Sequence, residues 1–364
     1  MWEQEAGSSN FPTPTTSSES GDVRPVSAGR CETQPVKVFV THNPEDLAAY
    51  FGRALPELSA IADVVRNPLD RDLSTPELID AAAGCDVIVA HRSTPGAALT
   101  FESLPTLKAF LRCAVDISTI DVDAASSCGV LVARAGKSFV PSTAELALGL
   151  LLATSRHIVA STIDYRNEVE PPQRPGQQLR GRTAGIIGYG AIGSYLADVL
   201  VALGMRVVVH DPFVASIDPP VLAVERDDLF ATADVVFPLA PASPATENMI
   251  GAAELASMKR GSTLINVSRG ELLDEDATLA ALESGQLAAL GIDVGRAPDQ
   301  RPTPALAAHP RVVATPHLGG LTPQNADAQA ASSVEQVDAM TKGSVPPRAV
   351  NPERADRLRE YWRP

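Results

Sequence analysis

The chain is expected to fold as an α/β protein built on two doubly wound parallel sheets, and three observations predict this. Short apolar runs alternate with helical stretches along most of its length. The runs fall into two successive series, each long enough to make its own sheet. The second series opens on a glycine-rich turn of the kind that joins a buried strand to a helix. A chain of 364 residues also exceeds the size at which a single core stops growing, so two domains are expected.

The first 34 residues are rich in Ser, Thr, Pro, Glu and Gly and lack apolar periodicity. Such a segment cannot bury enough surface to offset its ordering entropy, and residues 1–34 are expected to be a disordered leader. Strands are then expected at residues 36–40, 62–65, 86–90, 107–111 and 130–133, with helices between them at 44–55 and 76–83. Ser142-Thr143-Ala144-Glu145 has the form of a capping box opening a long apolar helix, which makes residues 142–167 the joint between the two series. A proline-rich stretch at 171–176 follows. The second series comprises 183–187, 206–211, 234–239, 262–267, 289–294 and 311–315, and a helical pattern over 324–342 comes after it.

Composition narrows the function. A hydrophobic content of 45% is that of an ordinary globular protein. A net charge of −14 argues against nucleic-acid and anionic-membrane partners, which demand positive surface, though a small anionic substrate needs only a local positive pocket. Cys31, Cys85, Cys113 and Cys128 form no CxxC pair, and no His falls at metal-ligand spacing. They read as free thiols of a cytoplasmic protein without a metal. The most apolar window, residues 144–153, is too short to span a bilayer and contains Glu145. No basic start followed by an apolar stretch signals secretion.

The glycine-rich turn carries the chemistry. Gly188-Tyr189-Gly190-Ala191-Ile192-Gly193 follows the apolar run Thr183-Ala184-Gly185-Ile186-Ile187, and Asp211 ends the next strand. Gly188 permits the tight turn, Gly190 lets backbone N–H groups approach a pyrophosphate, and Gly193 lets the helix sit close to the strand. The amides of Ala191 and Ile192 then open a helix whose dipole favours negative charge. Asp211 can accept both ribose hydroxyls and would repel a 2′-phosphate, so the pattern predicts NAD rather than NADP.

Ligands of open parallel sheets bind beyond the carboxyl ends of the strands. There the second series places Ser268-Arg269-Gly270, then Gly295-Arg296-Ala297-Pro298-Asp299, then Pro316-His317-Leu318-Gly319-Gly320. A guanidinium can grip a carboxylate bidentately, and an imidazolium can hand a proton to a carbonyl becoming an alkoxide. Hydride transfer to a 2-keto acid needs that pair.

On Gly188 to Gly193, on Leu264-Ile265-Asn266-Val267-Ser268-Arg269-Gly270, on Gly291-Ile292-Asp293-Val294 and on Thr315-Pro316-His317-Leu318-Gly319-Gly320, the chain resembles the D-isomer-specific 2-hydroxyacid dehydrogenases, which include phosphoglycerate dehydrogenase. The resemblance spans residues 36–342. It implies a Rossmann NAD-binding domain (143–321), a discontinuous flavodoxin-like substrate domain (35–142 with 322–345), a tail (346–364) and a homodimer. It also implies an NAD-dependent oxidoreductase acting on the CH–OH group of a small 2-hydroxy acid. Arg269 would grip the substrate carboxylate and His317 would be the acid/base. Asp293 would meet the nicotinamide carboxamide, and Pro241, Val267, Ser268, Gly319 and Gly320 would line the cofactor. Arg92, Ser93 and the amides of Ala114 and Val115 would face the substrate.

Two positions depart from the family pattern. Where relatives have a Glu-Pro whose Glu orients the catalytic His, this chain has Pro298-Asp299. Either the Asp299 carboxylate serves instead, or His317 works without a carboxylate partner. Ala191 stands where relatives often place Arg or His against the pyrophosphate. Two rival readings remain: an NAD(H)-responsive binding protein of the corepressor type, and a formate dehydrogenase, whose Gln-Pro is not matched by Pro298-Asp299.

Overall fold

The computed structural model describes residues 35–363; the expected leader at 1–34, with Cys31, lies outside the described residues. Five strands form the first sheet: β1 (Lys37–Val40), β2 (Asp63–Arg66), β3 (Val87–Ala90), β4 (Ala109–Arg112) and β5 (Leu131–Arg134). All pair in parallel, in the order β2-β1-β3-β4-β5. The second sheet holds β6 (Thr183–Ile187), β7 (Arg206–His210), β8 (Leu222–Ala223), β9 (Val235–Pro238), β10 (Ser262–Asn266), β11 (Leu287–Ile292) and β12 (Val312–Ala314). It is also parallel, in the order β12-β11-β10-β9-β6-β7-β8. Strand order reverses between β1 and β3 and between β6 and β9, and each reversal opens a crevice at the carboxyl ends.

Burial explains why the strands were legible. Val87 to Ala90 and Thr183 to Ile187 are buried throughout, so each reads as an unbroken apolar run. The strand that went unexpected, β8, is two exposed residues on the sheet edge, paired through Val208 with Leu222, and has no apolar pattern. In the first sheet, successive side chains divide between two faces. Val38, Val40, Val87, Val89 and Leu111 pack on one, and Phe39, Ile88, Ala90 and Phe110 on the other.

The joint differs from its expected form. Its helix spans Val140–Ser155, with Phe139 at the cap and no side-chain cap bond. Ser142 Oγ instead shares a hydrogen bond with Thr322 Oγ1 at 2.8 Å. Ala144, Ala147, Leu150 and Leu151 pack against Ile186 and Ile265 of the second sheet. At His157 (φ 54°) the chain breaks, and helix Ile158–Arg166 leaves at 67°. Among the described residues no single helix is long and apolar enough to cross a membrane.

Helix Pro323–Thr341 returns to the first sheet, where Ala330, Val337 and Met340 join its core. The residues after it, expected as a tail, are part of that core as well. Buried Asn351 accepts the Val132 N–H at 2.7 Å and donates to Val130 O at 3.0 Å. Helix Asp356–Tyr361 buries Leu358, and Arg357 donates to the carbonyls of Leu104 and Leu107. Buried Ala355 and Leu358, with Ala349, Tyr361 and Trp362 packed beside them and a few satisfied polar bonds, dock this segment, too irregular a pattern to show in the sequence.

Candidate active site

At the end of β6, Gly188 turns with φ 99°, and a Cβ there would lie 2.9 Å from the backbone of Leu239 and Ala240. A Cβ on Gly193 would overlap the Gly188 carbonyl, so the helix Ala191–Ala202 rests directly on the turn. Gly190 is different: nothing lies within 4 Å of the position its Cβ would take. It caps the helix without a side-chain bond, and the first amide to return to it is that of Ser194, at 2.9 Å. The amides of Ala191, Ile192 and Gly193 are therefore free of intrahelical partners, and the space beside Gly190 is open, as a pyrophosphate requires. Asp211 is pinned beside them, accepting N–H groups from Tyr189 (2.7 Å) and Phe213 (2.9 Å). Each of its oxygens keeps acceptor capacity for a ribose hydroxyl. These residues fit a dinucleotide.

The turn after β10 is shaped by Asn266, a fully buried residue that the sequence reading passed over. Its Oδ1 accepts the Ser268 N–H at 3.0 Å, and its Nδ2 donates to the Arg269 carbonyl at 2.8 Å. Ser268 Oγ donates to Ala240 O at 2.9 Å, tying Val267-Ser268 to the loop of Pro241. Arg269 is half-buried, with Nη1 donating to the Ser268 carbonyl at 2.7 Å. A Cβ on Gly270 would overlap the Gly295 backbone, and one on Gly295 would come within 2.5 Å of Pro302. The loops after β10 and β11 are therefore stacked without side chains between them.

Asp293, fully buried beyond β11, organises the histidine loop. Its Oδ1 accepts from Thr315 Oγ1 (2.6 Å) and Leu318 N–H (2.7 Å), its Oδ2 from Gly319 N–H (2.8 Å). Its carbonyl accepts the His317 N–H at 2.9 Å. The carboxylate that the resemblance gives to the nicotinamide thus spends three acceptor positions on the loop, and Thr315, which the sequence reading did not single out, is one of its donors. Gly320 O takes Asn325 Nδ2 at 2.7 Å, joining the loop to the returning helix.

His317 Nδ1 lies 3.1 Å from the Asp299 carbonyl. A carbonyl only accepts, so Nδ1 carries the proton and Nε2 is left to exchange one with a ligand. The group that orients the imidazole is therefore the main chain of Asp299. Its carboxylate, expected as the substitute for the family's Glu, is turned elsewhere, 3.6 Å from Arg92 and 3.5 Å from Arg301. Asp299 (φ 60°) and Gln300 (φ 56°) are both left-handed, a reversal that aims the carbonyl at the ring.

The first sheet meets the second here. Arg92, exposed after β3, reaches Asp299 beside His317, while Ser93 Oγ bonds His91 Nδ1 at 2.8 Å. After β4, the N–H groups of Ala114, Val115 and Asp116 have no backbone acceptor among the described residues. Burial pushes the Asp116 carboxyl up, but Ser118 hydrogen bonds and the charges of Arg269 and Arg112 hold it below the usual range. Asp116 is thus within electrostatic reach of Arg269. Behind Arg92, donor atoms of Asp46, Asp72 and His91 lie within 4.8 Å of one another, a grouping no sequence spacing signals. His91 Nδ1 in that group is taken by Ser93 and lies 3.4 Å from Asp46.

Residues 148–319 match the family model for the NAD-binding domain of D-isomer-specific 2-hydroxyacid dehydrogenases. The chain is 33% identical to a hydroxypyruvate reductase of Thermotoga maritima, over 77% of this chain and 90% of that one. It is 35% identical to the D-3-phosphoglycerate dehydrogenase of Mycobacterium leprae, over 76% of this chain, and spans about half of that longer relative (53%). Its fold is shared with the D-lactate dehydrogenase of Lactobacillus jensenii solved with NAD+, at a TM-score of 0.75 and 25% identity, over 86% of this chain and 99% of that one. With the open glycine turn, the arginine and histidine strand ends and these relatives together, the chain belongs to the NAD-dependent D-isomer-specific 2-hydroxyacid dehydrogenases.

Proposed function

We propose that the protein reduces a small 2-keto acid, or oxidises the matching 2-hydroxy acid, in a site shared by its two sheets. The second sheet and its helices form the NAD domain. The first sheet, with the returning helix and the residues after it, forms the substrate domain. Gly188, Gly190, Ala191, Ile192 and Gly193 hold the pyrophosphate and Asp211 the adenosine ribose. Pro241, Val267, Ser268, Gly319 and Gly320 line the nicotinamide end, and Asp293 keeps the histidine loop in place. Bound NADH supplies the hydride. Arg269 fixes the substrate carboxylate through its fork of N–H donors, and His317 Nε2 delivers the proton to the carbonyl oxygen as charge develops there. Arg92, Ser93 and the amides of Ala114 and Val115 receive the remainder of the substrate.

The observation that carries this reading is the double engagement of Asp299. Its carbonyl holds His317 at 3.1 Å while its carboxylate meets Arg92 of the other sheet at 3.6 Å. Acid/base and substrate-facing groups thus converge on one loop. That carboxylate also matches the charge of Arg92, which favours unphosphorylated acids over phosphorylated ones. The binding-protein reading is not favoured, because the relatives are named reductases and dehydrogenases. A homodimer fits the exposed Ile158, Ile163, Tyr165 and Val169 along and after helix Ile158–Arg166, an apolar strip a second copy would cover. A cytoplasmic location fits Cys85, Cys113 and Cys128 as free thiols.

NADH consumption should be measured with glyoxylate, hydroxypyruvate, pyruvate, bulkier 2-keto acids and a phosphorylated analogue. Turnover is expected with at least one unphosphorylated acid. Arg269→Ala and His317→Ala should each lower kcat/KM by about a thousandfold, with NADH affinity retained. Clear NADH binding without turnover on any of these acids would defeat the proposal.

A further inference from the structure

Arg112, the last residue of β4, is the bulkiest of the fully buried side chains, at 0% exposure. No carboxylate pairs with it among the described residues. Its guanidinium is spent on the neighbouring loops instead. Nη1 donates to the carbonyls of His91 and Arg92, the latter at 2.7 Å, and Nη2 donates to Thr94 O at 2.8 Å and Thr119 Oγ1 at 3.0 Å. The first three acceptors belong to the loop carrying Arg92 and Ser93. The fourth closes the loop carrying the Ala114 and Val115 amides.

Thr41 braces the first loop from the other side. Its hydroxyl bonds Thr94 Oγ1 at 2.7 Å and accepts the His91 N–H at 2.9 Å. Burying a cation with no carboxylate in contact is costly, and burial, opposed by the more distant charge of Asp116, pushes this guanidinium down to about 10, which still leaves it charged at neutral pH. An aliphatic side chain would fill β4 more cheaply but would strand the carbonyls of Arg92 and Thr94 and leave His91 O with the Thr94 N–H alone. The planar fork is the one side chain that reaches two loops at once with fixed geometry.

We propose that Arg112 is a positioning residue for the substrate: its guanidinium locks the loop of Arg92 and Ser93 to the loop of Ala114 and Val115, so the two present a preformed anion-receiving surface. This rests on the reading that those loops face the substrate. A preformed site saves the free energy otherwise spent on ordering loops at binding, so the effect belongs in KM.

Arg112→Lys keeps the charge and removes the fork; Thr119→Val removes one partner and leaves the guanidinium buried. For the best 2-keto acid, Arg112→Lys is expected to raise KM by about tenfold, with kcat and the NADH dissociation constant changing less than about threefold. Thr119→Val should raise KM about two- to threefold, which keeps the test open if Arg112→Lys does not fold. In an Arg92→Lys background the Arg112→Lys effect should shrink, because the group being positioned has already changed. A folded Arg112→Lys enzyme with wild-type KM, or a Thr119→Val enzyme with wild-type KM where Arg112→Lys is unfolded, overturns the proposal. A wild-type KM in Arg92→Ala would sink the reading of Arg92 itself, a separate result.

Discussion

The two sheets contribute to the proposed site by opposite means. At the ends of β6, β10 and β11 the second sheet works with backbone: glycines that admit close approach, helix amides left open, and a loop wound around the Asp293 carboxylate. At the ends of β1, β3 and β4 the first sheet works with buried polar side chains, His42, His91 and Arg112, beneath the exposed Arg92. Backbone-built sites tolerate no added atoms. Side-chain-built sites are sensitive to charge, because their polar groups are already out of water.

That contrast is sharpest in the glycines. Gly270→Ala would drive a methyl group into the Gly295 backbone, which cannot move aside as a flexible side chain could. We expect it to destabilise the protein by about 1–3 kcal/mol and to lower kcat/KM by displacing Arg269. Gly190→Ala meets open space and should fold with near wild-type stability, yet weaken NADH binding because the methyl stands where phosphate approaches. Denaturant unfolding and NADH fluorescence titration separate the two. Equal stability of both variants would break the picture of stacked strand-end loops.

Acid should act on the first sheet. His42 is wholly buried between Phe51 (ring centroids 4.9 Å apart) and His91 (5.0 Å), with no partner for either nitrogen among the described residues. Burial, then the charges of His91 and Arg112, push it down to about 3. His91 is lowered to about 4, mainly by burial and further by Arg92 and Arg112, against the opposing charge of Asp72. Both lie below the unfolded value of about 6.5, so the unfolded chain binds their protons first. Stability owes nothing to this effect above about pH 6.5 and falls as pH drops toward about 4, by up to two protons' worth of slope. His42→Phe should flatten the decline in unfolding midpoint over that window. An unchanged slope would mean that His42 does not titrate as its burial implies.

The smallest effect expected is at the join. Asp299→Asn removes an exposed ion pair with Arg92, of the kind worth about 0–1 kcal/mol, and leaves the Asp299 carbonyl on His317. KM should change less than about threefold and the pH–rate profile should keep its position. A displaced profile would show that the carboxylate, not the carbonyl, serves the imidazole.

Much of the second sheet was legible in advance. Gly188, Gly190, Gly193, Asp211, Arg269 and His317 were each picked out by a property of the residue type at a strand end, missing Cβ, terminal carboxylate, fork, or imidazole, and the structure places each at such an end. The residues that were missed act through the particular backbone or side-chain groups they meet, some close in the chain and some distant. Asn266 matters for the turn it folds, Thr315 for the carboxylate it meets, and Arg112 for carbonyls 18 to 21 residues away. A buried arginine ending a strand looks in sequence like any surface cation. Asp299 shows the same limit at finer scale, since nothing in its identity says whether main chain or side chain will face the histidine.

Most strand positions and the glycine turn after β6 follow from the chain alone, because hydrophobic burial and glycine sterics act locally and repeat. Folding in three dimensions decided the rest: Arg92 beside the Asp299 that holds His317, the final residues on the first sheet, and the cation Arg112 beneath the loops after β3 and β4. Those depend on strand order and on the direction of single side chains, which crossover connections set over long stretches of sequence and no local pattern records.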